Sequence, residues 1–341
     1  MRALTPLRSV LTLIPFVLFF LAAAAICPMI GSVDIDLNEA WVHRHNIAAS
    51  LDASVLFVTR LPRLLLAALT GAALAMAGVA FQALLRNPLA EPFTLGVTSG
   101  GALGAVIAFK LGLDVSLHGL SPVVLFALAG SAGTVALVYL LARTRGVLST
   151  SLLLLAGVTI SFSLASLILL IFYLSDFTET HRMLRWMMGG LDVTNLRAVG
   201  RIAPFSLGGM AVLLTQSGNL NQLSLGVELA AGRGVNVRRS QQWTYFGASL
   251  VTGSVVALAG PIGFVGLIVP HTVRLLTGPD HRVLLPASLL AGAGFLMLCD
   301  TLARTALAPI EIPVGVLTSC LGGPFFIGLL LRAKRRARFW D

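Results

Sequence analysis

The feature that most constrains this chain is its series of long, charge-free apolar runs. The run from Leu64 to Leu85 has 22 residues without a charged side chain, and a helix of that length, about 33 Å, crosses the hydrocarbon layer once. Similar runs recur along the chain, and they are continuous rather than alternating every second residue as in a transmembrane barrel. Hydrophobic residues make up 57% of the sequence and charged residues only 11%, too few to cover a soluble surface. The sequence therefore predicts an all-α, polytopic membrane protein.

About ten transmembrane helices are predicted, over residues 10–30, 62–85, 93–112, 121–142, 149–174, 198–215, 243–260, 262–276, 283–303 and 313–331. The least regular stretch is Ser240 to Val273, whose 34 uncharged residues are too long for one crossing and short for two. Arginines flank it on both sides, so the positive-inside rule places both of its ends in the cytoplasm and the chain must cross twice. Gly260 and Pro261 supply the break.

The distribution of basic residues orients the chain. With ten spans and a cytoplasmic N-terminus, cytoplasmic segments hold 15 of the 24 Lys and Arg residues, which favours cytoplasmic N- and C-termini. The external segment 176–197 fits least well because it carries three arginines, and a re-entrant turn there is an alternative. No soluble domain fits, so residues 1–341 are predicted to form a single transmembrane domain, with an external loop that contains a short helix at about 31–60 and a cytoplasmic segment at about 216–240.

Several functional classes are disfavoured by what the sequence lacks. The net charge of +10 lies in short clusters between spans rather than in a basic stripe, so no nucleic acid is expected as a partner. Walker A needs Gly-Lys-Ser/Thr, but Lys110 is followed by Leu and Lys334 by Arg. His43 and His45 have no further ligands at binding spacing, so neither a metal site nor an enzyme is predicted. The spans hold almost no charge, which favours a permease driven by a partner over an ion-coupled carrier.

Two polar stretches interrupt the apolar pattern on the cytoplasmic side. Residues 216–239 are too polar to span, and their leucines and valines are spaced as in short amphipathic helices. We interpret this stretch as a docking element for a partner ATPase, with a plain surface loop as the alternative. The second stretch, RNPLAEPFTLG at 86–96, has two prolines that cannot continue a helix, so it forms a fixed turn at the cytoplasmic mouth and is a plausible gate.

The chain resembles the FecCD-type permease subunits of type II ABC importers, which move iron-siderophores, haem or cobalamin. The matching stretches lie in the expected order across nearly the whole chain: RLPR (60–63), QALLRNPLAEPFTLGVTSGG (82–101), LSTSLLLLAGV (148–158), RWMMGGL (185–191), LNQLSLG (220–226), ALAGPIGFVGLIVPHTVRLLTGPDHRVLLPASLLAGA (257–293) and EIPVGVLTSCLGGPFFIGLLLR (311–332).

This resemblance implies a set of partners for a permease without its own nucleotide-binding site. These are a second copy of the chain, with the pathway at the homodimer interface, two cytoplasmic ATPase subunits that bind ATP and Mg, and an external or periplasmic binding protein. The resemblance also implies that Arg60, Arg63 and Arg304 receive acidic residues of the binding protein. Arg60 and Arg63 are three residues apart, share a face at a predicted helix start, and present forks that suit carboxylates. The alternative is that these arginines snorkel as membrane-interface anchors.

The same resemblance implies the remaining site residues, named here by region. The pathway and gate fall at Asn87, Pro88, Leu89, Thr150 and Ser151. The ATPase-coupling residues are Leu220, Asn221, Leu223, Leu225, Gly226 and Glu228. The coupling segment departs from the family pattern, because Val227 precedes the acidic residue and Arg233 stands where Leu is usual. This departure leaves the exact contacts with the ATPase open.

The expected function is that of a permease subunit of an ATP-driven importer in a bacterial or archaeal inner membrane. It would take a metal chelate, foremost a ferric siderophore, from its binding protein to the cytoplasm, with no cofactor bound by this chain. Cobalamin or haem is the alternative cargo, and an ion-coupled secondary carrier is the alternative of another class. That last alternative needs a carboxylate inside the membrane, for which Glu91 and Asp300 are the nearest candidates.

Overall fold

The computed structural model describes residues 6–31, 33–113, 119–144, 147–192 and 196–337. Within these ranges ten helices of at least 13 residues follow one another: α1 (Pro6–Ile26), α4 (Leu61–Leu85), α5 (Val97–Lys110), α6 (Pro122–Ala142), α7 (Thr150–Tyr173), α9 (Leu196–Thr215), α12 (Val237–Ala259), α13 (Val265–Thr277), α14 (His281–Thr305) and α15 (Val314–Ala337). Each coincides with one predicted span, so the all-α prediction with about ten helices is confirmed. The termini at residues 1–5 and 338–341, predicted to be cytoplasmic, lie outside the described residues.

Short elements occupy the connections between the long helices. They are α2 (Leu37–Val42), α3 (Leu51–Ser54), α8 (Phe177–Met187), α10 (Ser217–Leu223) and α11 (Val227–Gly232). The strands β1 (Arg143–Thr144) and β2 (Val147–Leu148) pair antiparallel and are the only strands in the part of the chain that the structure describes. Within the external loop, α2 is a separate short helix, whereas α3 continues without a break into the helix that contains α4. The segment that fitted the charge rule least well forms α8, an amphipathic helix that carries two of its three arginines.

The helices that could cross a membrane lie where the sequence has its long apolar runs. Across the described ranges, six helical stretches are long and apolar enough to cross a membrane: Leu51–Leu85, Pro122–Ala142, Thr150–Tyr173, Leu196–Thr215, His281–Thr305 and Val314–Leu331. Three shorter apolar helices are Val10–Ile26, Val97–Lys110 and Val265–Thr277. The remaining long helix, α12, begins with arginines and glutamines, so its first turns are polar.

Helix α5 is clearly shorter than its predicted span. The span predicted at 93–112 begins as a helix only at Val97, because Pro92–Leu95 forms a 3-10 turn and Gly96 takes a left-handed φ of 80°. The 14 residues of α5 give about 21 Å, less than the hydrocarbon thickness. The chain before α5 is therefore an irregular segment packed against protein, which is where non-helical backbone is tolerated in membrane proteins.

The predicted break inside residues 240–273 is confirmed. Helix α12 ends at Ala259, and Gly260 follows with a φ of 67°. Helix α13 begins at Val265 after Phe264, which also has a φ of 67°. A left-handed backbone is costly for an aromatic residue, so this connection is held by its surroundings rather than by local preference.

The prediction that Arg60 and Arg63 lie at a helix start is wrong. A continuous helical stretch runs from Leu51 to Leu85, with a π-helical part at Val55–Arg60. Pro62 lacks an N–H, and in a regular α-helix its ring clashes with the carbonyl four residues earlier. The wider π-helical turn just before it accommodates that ring, so the helix continues through the proline.

Helix α4 lies at the centre of the bundle and packs against α14, α12, α13 and α9. In its apolar 18-residue stretch, 83% of the residues are buried inside the protein, against 11% for the corresponding stretch of α7. Small residues allow this, because Gly71 faces the backbone of Gly292 in α14 and Gly78 faces the backbone of Gly266 in α13. A Cβ on either α4 glycine would overlap the facing carbonyl oxygen. The glycines are therefore required for close helix packing.

Replacing Gly78 by alanine is expected to lower the free energy of unfolding by about 1–3 kcal/mol, because the added methyl meets backbone that cannot move aside. The matched control is Gly133→Ala in α6, where nothing lies within 4 Å of the new Cβ. There the helix-propensity gain of up to about 1 kcal/mol acts alone. Unfolding of the purified protein in mixed detergent measures both variants, and equal effects would contradict the close-packing interpretation.

Candidate functional site

A cluster of buried charges lies near the predicted external ends of α4 and α14. Arg63 in α4 forms ion pairs with three carboxylates: its Nε lies 2.8 Å from Asp300 Oδ1, and its Nη1 lies 2.7 Å from Glu311 Oε2 and 3.0 Å from Asp192 Oδ1. Arg304, one turn after Asp300 in α14, places its Nε 3.2 Å from Asp300 Oδ2. Asp300 therefore bridges two guanidinium groups, which is how a charge is retained in an apolar interior.

Arg60 lies beside this cluster but bonds to backbone. Its guanidinium donates to the carbonyls of Pro28, at 2.8 Å, Met29, at 3.3 Å, and Val33. These carbonyls belong to the connection that follows α1, so Arg60 fastens that connection to the long helix.

The three arginines predicted to dock a binding protein are all buried within the chain, with exposed fractions of 4% for Arg60, 6% for Arg63 and 9% for Arg304. This burial gives no support to the alternative in which the arginines snorkel as interface anchors, since a snorkelling guanidinium lies in water. Their docking role stays a prediction. For docking, a carboxylate of the binding protein would have to replace a group that already bonds to the arginine, because Arg60, Arg63 and Arg304 each have a partner within the chain.

The acidic partners in this cluster were not among the predicted site residues. Asp300 sits in the apolar run LMLCDTLA, and a lone carboxylate in such a run needs a counter-ion, so this signal was available. Asp192 and Glu311 lie in connecting segments and gave no comparable signal. Their pairing with Arg63 spans well over a hundred residues of sequence and is visible only in the fold.

Another carboxylate, Glu91, is partly buried in the connection between α4 and α5, outside the spanning helices. Burial raises its pKa to about 7, and a hydrogen bond from the Phe264 backbone opposes that shift by stabilising the charged form. Glu91 therefore ties this connection to the strained turn before α13.

The external helix α8 is fixed at its start by a capping box, in which Asp176 accepts from the Glu179 N–H and the Glu179 side chain accepts from the Asp176 N–H. Lys110, at the end of α5, contacts Glu179 Oε2 at 2.7 Å. This hydrogen bond lowers the pKa of Glu179. The pairing holds α8 against the end of α5.

The predicted coupling segment forms α10 and α11, joined at Gly226, whose φ of 128° only glycine adopts readily. The amphipathic helices expected here are confirmed. Arg233, the residue that departs from the family pattern, donates from Nη1 to Gln222 Oε1 at 2.7 Å and so braces α11 against α10.

Apart from Gly226, the predicted coupling residues divide into two groups. Leu220 and Leu223 are buried in the main core, and Asn221 is held at the start of α14, where its amide bonds Asp280 Oδ1 at 2.7 Å and the His281 N–H at 2.8 Å. Leu225 and Glu228 are exposed, together with Leu229, which the prediction omitted. The buried group anchors the segment to the bundle, and the exposed group forms a partly apolar ridge. We call Leu225, Glu228 and Leu229 the coupling ridge.

The predicted gate residues lie at the cytoplasmic ends of two helices. Asn87 Oδ1 accepts from the Leu89 N–H at 2.9 Å just after α4 ends, and Pro88 and Leu89 are exposed. Thr150 and Ser151 form the first turn of α7 and are at least partly exposed. The connection that contains the first group continues into the 3-10 turn Pro92–Leu95, and that turn packs against α7, the helix that contains the second group. Their gating role stays a prediction.

Comparison with known proteins places these features in context. The FecCD transport family model matches residues 16–332. The hemin transport system permease of Yersinia pestis is 42% identical over 283 residues, covering 81% of this chain and 83% of the relative. The vitamin B12 import system permease of Escherichia coli is 42% identical over 302 residues, 87% and 90% of the two chains. The Fe(3+)-citrate import system permease of Bacillus subtilis is 37% identical over 305 residues, 89% and 90%.

One solved structure has the same fold along nearly its whole length. It is described as an inward-facing conformation of a proposed metal-chelate type ABC transporter, and it superimposes with a TM-score of 0.81 at 32% identity. The match covers 95% of this chain and 99% of the other.

Proposed function

The chain belongs to the FecCD transport family, and from that premise we propose that it takes a ferric siderophore from an external binding protein and passes it to the cytoplasm at a homodimer interface. Members of this family are multi-pass inner-membrane permease subunits of ABC importers for metal chelates. They work with separate ATPase subunits and with substrate-binding proteins.

The coupling ridge carries the proposal. It presents Leu225 and Leu229, which are 55% and 57% exposed, on the cytoplasmic side, where lipid does not cover them. Exposed leucines beside a charged residue are typical of a protein interface. Behind the ridge, Leu220 and Asn221 connect the segment to the core and to α14. A force applied by an ATPase at the ridge therefore reaches the spanning helices directly.

The energy source and the remaining subunits are proposed on the same basis. No lysine in the sequence is followed by Ser or Thr, so ATP and Mg are assigned to two partner ATPase subunits and no cofactor to this chain. A second copy of the chain is proposed to cover part of α7 and part of α15. Only 11% of the apolar 18-residue stretch of α7 and 22% of that of α15 are buried within this chain. Asn87, Leu89, Thr150 and Ser151 are uncharged and suit a passage without a fixed binding site.

The proposed cargo is a metal chelate of the kind that the relatives are named for. A permease for Fe(3+)-citrate supports a ferric chelate, and relatives for hemin and vitamin B12 support haem or cobalamin as the second candidate. The ion-coupled alternative finds less support, because Asp300 is bound to two arginines. A carboxylate held in this way is not available to load and release an ion.

Uptake into liposomes tests the proposal. Vesicles that contain the permease and its ATPase receive the external binding protein and labelled ferric siderophore, haem or cobalamin. We expect uptake of the ferric siderophore that needs internal ATP, persists when an ionophore has collapsed ion gradients, and stops when the ATPase cannot hydrolyse ATP. Uptake that follows an ion gradient without ATP would contradict the importer, and ATP-dependent uptake of haem or cobalamin alone would replace the cargo.

A further inference from the structure

Arg63 contacts three separate parts of the chain. Its Nε binds Asp300 in α14, whereas its Nη1 binds Asp192, in the turn after α8, and Glu311, just before α15. One side chain of α4 thus connects the centre of the bundle to two external segments.

The two external segments also bond to each other. The Gly315 N–H, in the first turn of α15, donates to the Gly189 carbonyl at 3.1 Å, and the Gly190 N–H donates to the Ala259 carbonyl at 2.9 Å. A Cβ at Gly315 would lie within 3 Å of the Met188 and Pro261 carbonyls, so the backbones approach closely. The turn and the start of α15 are therefore expected to move together.

The three carboxylates on Arg63 are not equivalent. The Asp300 side chain is 3% exposed and also binds Arg304, whereas the Asp192 and Glu311 side chains are 55% and 47% exposed. Half-exposed ion pairs contribute only about 0.2–1 kcal/mol each, while breaking a buried one is costly. Asp300 therefore stays in place, and the contacts at Nη1 are the exchangeable ones.

We propose that Asp192 and Glu311 form a latch on Arg63 that a carboxylate of the docking binding protein displaces, releasing the start of α15 and the turn after α8. This inference rests on the proposed function and adds the internal carboxylates that compete for the arginine. It also reconciles docking with burial, because the incoming carboxylate takes over a guanidinium that the fold has already positioned and desolvated.

Within one subunit, the latch acts on a helix that has few other packing contacts. Helix α15 makes few contacts with α13 and α14, and only 22% of its apolar 18-residue stretch is buried within the chain. The bond from Arg63 to Glu311 lies three residues before its first turn. When a binding-protein carboxylate replaces Glu311 at Arg63 Nη1, the start of α15 loses this bond. Docking on the external side thereby allows movement of a helix that runs to the cytoplasmic side.

The double variant Asp192→Asn/Glu311→Gln removes both competing charges and keeps the side-chain shapes. Two measurements test it, each against Glu39→Gln, an external charge removal at a residue that bonds Ser50 and not Arg63. In the permease alone, hydrogen–deuterium exchange of the amides at 314–320 is expected to be faster in the double variant. Affinity for the binding protein encoded nearest to the permease gene is expected to rise about two- to fivefold, the size of a half-exposed ion pair.

Unchanged amide exchange in the double variant, or affinity that is unchanged or lower, would overturn the latch. The two ideas fail separately. If the wild-type permease binds no binding protein, the proposed function fails, while amide exchange still decides whether the carboxylates hold α15. If wild-type docking and ATP-driven uptake are intact but the double variant behaves like Glu39→Gln, the latch alone is rejected.

Discussion

Replacing Leu225 and Leu229 together by aspartate is expected to abolish capture of the partner ATPase while the permease remains folded. Both side chains are more than half exposed on the coupling ridge, so the change removes no core contact. Burial of two leucines at an interface contributes about 3–6 kcal/mol, and losing it weakens binding by a factor of about a hundred or more. Co-purification of the ATPase with tagged permease measures the loss, and ATP-driven uptake should stop with it.

Two further variants make this result interpretable. Val42→Asp/Leu51→Asp places the same charges at exposed apolar positions of the external loop, 70% and 73% exposed, and is expected to leave capture intact. Leu223→Asp, in the same segment, buries a charge in the core and is expected to reduce the yield of folded protein. Normal ATPase recovery with the Leu225/Leu229 variant would remove the ridge from the interface.

Asp300→Ala is expected to lower the free energy of unfolding by about 3–5 kcal/mol, the cost of removing one partner from a buried ion pair. The change leaves Arg63 with only its half-exposed partners and leaves Arg304 without its carboxylate, both inside the α4–α14 contact. Unfolding in mixed detergent, followed by tryptophan fluorescence, measures the loss.

Asp192→Ala is the matched control in the same cluster. Its side chain is 55% exposed, so its loss is expected to cost less than about 1 kcal/mol. Similar destabilisation by the two variants would show that burial of Asp300 does not set the energetics of the cluster.

Local sequence pattern was sufficient to predict the helices but not the contacts between them. Apolar runs and flanking arginines predicted ten helices and the break at Gly260, because hydrocarbon thickness and charge act on each segment separately. The start at Leu51 was missed because proline is common in the first turn of a helix, so Pro62 indicated a start near residue 62. The π-helical turn that accommodates the proline has no sequence signal.

The candidate site was predicted by position but not by environment. Arg63 was identified from a motif, yet its partners Asp300 and Glu311 are 237 and 248 residues away in sequence, so no local pattern reveals its burial. In the coupling segment, periodicity suggested amphipathic helices but did not distinguish the anchoring Leu223 from the exposed Leu225. That distinction depends on what the bundle places beneath the segment.

The central position of α4 has a consequence for biosynthesis. Gly71 packs against Gly292, and Arg63 pairs with Asp300, residues that a ribosome adds more than 200 positions later. At about 5–20 residues per second, α4 waits roughly ten to forty seconds after its own synthesis for these neighbours. During that interval its small-residue faces meet lipid or the insertion machinery, and Arg63 lacks its buried partner. The innermost helix of the finished bundle is thus one of the first to be made and one of the last to reach its native surroundings.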